Sequence, residues 1–106
     1  MPDIRPGPTR RLDEAPTRAP RFHLVLLDDD DHTYQYVIDL LGHVFGYGRE
    51  KGFAIACVVD SQGRAIVETA DEDTVSRHQA QIHAYGADPR IERCAGSMSA
   101  VIEPAA

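Results

Sequence analysis

Six mostly apolar residues, Phe22, His23, Leu24, Val25, Leu26 and Leu27, run directly into four consecutive aspartates, Asp28 to Asp31. The run is too short for a core helix and has the length and apolar density of a buried strand. Helical spacing takes over at once, because Val37, Ile38, Leu41 and Phe45 recur three and four apart. A strand that ends in carboxylates where a helix begins fixes negative charge on a semi-rigid rim, next to the positive end of the helix dipole. That rim suits an ammonium group or a metal ion. It also has a plainer reading, with Asp30 or Asp31 as helix cap and the other aspartates solvated.

The remaining chain supplies two more strands and two more helices. The spacing predicts the first helix over 32–45, ended by Gly46 and Gly48. A second is expected over 49–59 with Phe53, Ala56 and Cys57 inward, although Gly52 lies inside it. After a turn at Gly63, 65–69 reads as a strand. Asp71, Glu72 and Asp73 open a third helix with an inward stripe of Val75, Ile82 and Tyr85, and His78 and Gln79 lie between them. Gly86 and Pro89 close that helix, and a last strand falls between 91 and 102, broken or ended near Gly96. The order β-α-α-β-α-β predicts an α+β fold, a small sandwich in which three helices pack on a three-stranded antiparallel sheet.

With 106 residues there is room for one domain. Five of the seven prolines (Pro2, Pro6, Pro8, Pro16, Pro20) fall in residues 1–20 without apolar periodicity, so 1–20 reads as a disordered Pro/Arg-rich arm and 21–106 as the folded domain. Five arginines against three acids give residues 1–21 a charge of +2, which leaves −8 for the rest of a chain whose formal net charge is −6. An acidic domain is a poor match for nucleic acid. No apolar run is long enough to span a membrane, and the first residues lack an apolar signal core, so cytoplasm is expected. Cys57 and Cys94 have no close-spaced partner and read as small buried hydrophobes.

Signals for catalysis are missing. There is no G-x-S-x-G, no phosphate-cradling glycine loop and no G-x-G-x-x-G, and Ser97 and Ser99 have no base nearby in the sequence. His78 and His83 are five apart, which does not align two rings on one helix face. A calcium loop fails because helix-forming residues occupy its second half. A divalent-metal site stays open as an alternative, because His32 adjoins the carboxylates and His23 lies upstream. Tyr36 reads as packing, whereas Tyr34 can line a pocket above the aspartates.

Taken together, the stretch from Phe22 through the aspartates to Val37-Ile38-Asp39-Leu40-Leu41, then Val44-Phe45-Gly46-Tyr47 and Gln62-Gly63-Arg64-Ala65-Ile66, resembles ClpS, the family of adaptors of the Clp ATP-dependent proteases. The resemblance implies a binding module with no chemistry and no cofactor. Such adaptors hold the free α-amino group of a substrate's first residue on acidic and polar groups and insert its side chain into an adjoining pocket. By position the amine site would comprise Asp28, where the family usually has Asn, the pair Asp29 and Asp30, and Asp60, where it has His. The side-chain pocket would comprise His32 at a usual Thr, Tyr34 at a gating Met, Val37, Ala56 where Met is common, and Val59.

The same resemblance implies docking on the N-terminal domain of a Clp ATPase through Asp73 and His78, the latter at a usual Lys. It implies a monomer that takes substrate proteins by their N-terminal residue, with neither nucleic acid nor membrane as partner. Two alternatives remain at this point: a regulator that docks on the ATPase without reading N-termini, and an acidic divalent-metal-binding protein.

Overall fold

The computed structural model describes residues 19–29, 31–90 and 96–105. Apart from Ala19 and Pro20, the expected arm lies outside the described residues, as do Asp30, Ile91 and Cys94.

The elements follow the expected order: β1 (Phe22–Leu27), α1 (Tyr34–Phe45), α2 (Arg49–Gln62), β2 (Arg64–Ala70), α3 (Glu72–His83) and β3 (Ala100–Pro104). The apolar run β1 takes the centre of an antiparallel sheet of order β2-β1-β3, with Phe22 opposite both Ala70 and Pro104. Its central position explains its composition, since Leu24, Val25 and Leu26 are fully buried. A bulge between Leu24 and Val25 shifts the register toward β2. Leu24 and Leu26 join Tyr36, Leu40, Leu41, Val59, Val75, Ile82 and Met98 in one core. Each such side chain contributes roughly 1.5–3 kcal/mol by leaving water.

Several boundaries differ from those expected. Helix α1 starts at Tyr34, and its cap is Thr33, whose hydroxyl accepts the Tyr36 N–H at 3.1 Å, in place of the aspartate cap expected. Helix α2 runs one turn beyond 59, to Gln62, and ends on Gly63 at φ 84. Phe53 does not face inward: it is 51% exposed. Tyr85 lies past the end of α3 and meets Tyr36 edge-on at 5.4 Å. The last strand begins only at Ala100, where its N–H donates to His83 Nε2 at 3.1 Å.

Gly52, which weakens the helical reading of α2, has a packing reason. It is buried where α2 crosses α1, and a Cβ there would lie 3.2 Å from Ile38 Cα, a backbone atom that cannot swing aside. An exposed helical Gly→Ala gains about 1 kcal/mol. Here the crowding reverses the sign, and Gly52→Ala is expected to lower stability by about 1–2 kcal/mol in urea denaturation.

Candidate functional site

The rim is built by the loop from β1 to α1. The Asp28 N–H donates to the Gly63 carbonyl at 3.0 Å, which ties the start of the loop to the end of α2. Asp29 Oδ1 accepts the Asp31 N–H at 2.9 Å, so this aspartate caps its own turn and leaves the helix to Thr33. His32 is folded under the loop. Its Nδ1 lies 2.6 Å from Asp29 Oδ1 and its Nε2 2.8 Å from the Gly96 carbonyl. The ring is tilted against Tyr36 at a centroid distance of 4.5 Å, and its side chain is only 4% exposed. Asp28 and Asp29 stay exposed.

Asp88, in the loop after α3, anchors this corner. Its Oδ2 accepts both the Thr33 N–H and the Thr33 hydroxyl at 2.8 Å, and its Oδ1 accepts the Arg90 N–H at 2.9 Å and the Arg90 guanidinium at 3.2 Å. Burial alone would push this carboxyl up. The backbone donors of Arg90 and Thr33, followed by their side chains, outweigh burial and hold it down at about 2. Asp88 is therefore an ionised, buried clamp on the first residues of α1.

Between the rim, α1 and α2 lies a cavity of about 230 Å³, lined by Asp28, Asp29, His32, Thr33, Tyr34, Val37, Ala56, Val59, Asp60 and Met98. The structure brings together every described residue expected in the amine site and the side-chain pocket; Asp30 lies outside the described residues. One side is carboxylate. The other is formed by the apolar side chains of Val37, Ala56, Val59 and Met98, which are almost fully buried. Tyr34 bridges the two halves: its hydroxyl donates to Asp60 Oδ2 at 2.5 Å. That bond, before any effect of burial, pushes the phenol up to about 12.

Thr33, Met98 and Asp88 went unread in the sequence. Thr33 could have been found as a capping residue ahead of an apolar-periodic stretch. Asp88 precedes a proline in a turn, a signal for a loop but not for a buried carboxylate. Met98 arrives from an irregular loop, and no pattern announces it.

Asp73 and His78 stand apart from the cavity. Asp73 is exposed in the first turn of α3. His78 is half-buried, its Nδ1 2.7 Å from Glu68 Oε1 and its ring 5.0 Å from Phe45. Among the described residues no three His, Cys, Asp or Glu side chains converge as metal ligands would, so this geometry gives the metal alternative no support. No helix among the described residues is long and apolar enough to cross a membrane.

Comparison with known proteins then gives a family. The model of the ATP-dependent Clp protease adaptor protein ClpS matches residues 17–89. The ClpS adapter of Neisseria meningitidis serogroup B is 29% identical over 72 residues, 68% of this chain and 70% of that protein. The adapter of Deinococcus radiodurans is 30% identical over 91 residues, 79% of this chain and 80% of that one. Agrobacterium tumefaciens ClpS2, solved with L-phenylalaninamide bound, superposes with a TM-score of 0.72 at 19% identity, covering 83% of this chain and all of that one.

Proposed function

The chain belongs to the ClpS family of Clp protease adaptors, and from that premise we propose that its cavity binds the free α-amine and first side chain of substrate proteins for delivery to the Clp ATPase. One observation carries this reading: an apolar recess opens directly onto the carboxylates Asp28, Asp29 and Asp60. An α-amino group with a reference pKa near ~8 is largely charged at neutral pH. Removing it from water is costly unless ionised acceptors accept hydrogen bonds from its N–H groups. The rim offers those acceptors, and Val37, Ala56, Val59 and Met98 offer the side chain a dry wall. The ligand held by the Agrobacterium relative, a free amine beside a benzyl group, has the chemistry this arrangement suits.

No step in this function needs a nucleophile or cofactor, and the protein acts as a non-catalytic monomer in the cytoplasm. Asp73, exposed on α3, is the docking contact offered to the N-terminal domain of the ATPase. His78 is already engaged by Glu68 and contributes mainly to holding α3 on β2.

Fluorescence anisotropy with two peptides that differ only in their first residue, Phe or Gly, tests the pocket. Burying a phenyl side chain is worth about 1.5–3 kcal/mol, so the Phe-first peptide is expected to bind roughly ten- to a hundredfold more tightly. Equal affinities for the two peptides, with the ATPase still bound, would instead mark a regulator that docks without reading N-termini.

A further inference from the structure

Asp60 occupies an unfavourable place for a carboxylate. It sits in the last turn of α2, where the helix dipole repels negative charge, and it is exposed. Among the described residues no lysine, arginine or histidine forms an ion pair with it. Its donor is the Tyr34 hydroxyl, which reaches across from the first turn of α1. The Tyr34 ring is held at its other side by Phe53, at a centroid distance of 5.7 Å and a tilt of 60°. This contact accounts for an aromatic residue left half in solvent on α2. Tyr34 is thus fixed along its length, by a ring contact and by a short hydrogen bond.

We propose that Tyr34 is a positioning residue of the amine site, whose hydroxyl fixes the Asp60 carboxylate by one oxygen and leaves the other to receive the ligand's ammonium. The proposal rests on the cavity being an amine site and adds how a carboxylate at a helix C-terminus is made to serve there. An untethered aspartate would spread over several rotamers in water and would have to be ordered by each ligand, at a loss of affinity. The phenol also donates a hydrogen bond to a crowded acidic rim without adding a full charge that would compete with the ammonium. Because it titrates only near about 12, it remains a donor throughout the neutral and moderately alkaline range.

The test uses one Phe-first peptide, free and α-N-acetylated, titrated against the full chain and against Tyr34→Phe, Asp60→Asn and the double variant. Tyr34→Phe keeps the ring on Phe53 and deletes only the donor. It is expected to weaken the free peptide about three- to tenfold, the worth of one hydrogen bond, and to leave the acetylated peptide unchanged. In the Asp60→Asn background the same substitution should have no further effect, since the carboxylate it positions is gone. Thermal melts within a few degrees of the parent would show that folding is not the cause. If the parent chain separates free from acetylated peptide but Tyr34→Phe matches it, or weakens both peptides by one factor, the assignment to Tyr34 falls and the amine site stands. If the parent chain itself does not separate them, both fall.

Discussion

Replacing Asp88 by alanine is expected to destabilise the domain by about 3 kcal/mol, through the loss of charge-assisted bonds and the exposure of unsatisfied donors. At ~4–8 °C per kcal/mol for a domain of this size, the melting midpoint should fall by well over 10 °C. The carboxylate is 1% exposed and clamps Thr33, the cap of α1, to the turn at Arg90. Deleting it frees the end of the helix that carries Tyr34 and Val37, so peptide affinity should fall together with stability. The effect also has a pH signature. The folded value of about 2 lies below the ordinary carboxylate value of 3.8. A depressed value of this kind contributes stability that is fully present above about pH 4 and is lost as pH falls through about 2. Differential scanning calorimetry between pH 5 and pH 2 should show the parent converging on Asp88→Asn as acid is added. Parallel curves with a constant offset would contradict the clamp.

Asp29→Asn is expected to cost the Phe-first peptide about 2 kcal/mol, roughly a thirtyfold loss, with little change in melting temperature. The asparagine oxygen can still accept the Asp31 N–H and face His32, as Asp29 Oδ1 does now, so the turn survives while the charge is lost. The side chain of Asp29 is 36% exposed, which places the effect at the lower end of the range for desolvated charge pairs. Isothermal titration of the variant measures it. A loss below twofold would remove Asp29 from the amine site.

How much of this was legible in the sequence depended on how local the cause was. The strand at Phe22–Leu27 and the periodicity of α1 follow from a few adjacent side chains, and both appear where the pattern puts them. Val37 and Ala56 were also readable as inward positions on helices, whereas Val59, and the pocket role of all three, was implied only by the family resemblance; all three line the cavity. The helix cap was not. The sequence offers Asp30 or Asp31 for that role, and Thr33 takes it because Asp88, fifty-five residues away, binds both its N–H and its hydroxyl. Phe53 was misread for a similar reason: helical periodicity puts it near the inner face, but its actual partner is Tyr34 on the neighbouring helix. Gly52 looked like a weakness in α2 and is the point where α2 meets α1. Met98 reaches the cavity from a loop, where neither periodicity nor turn chemistry predicts contact.

The proposed function is electrostatic: the rim formed by Asp28, Asp29 and Asp60, which lines the cavity, would hold a positively charged chain terminus beside the apolar recess. Acetylation of the α-amine removes that charge and changes nothing beyond the terminus. The deciding measurement is the dissociation constant of one Phe-first peptide for the full chain, determined for its free and its acetylated form at neutral pH and moderate salt. A loss of at least thirtyfold on acetylation is predicted, in keeping with ~2 kcal/mol or more for one desolvated charge contact; affinities equal within twofold would contradict the account.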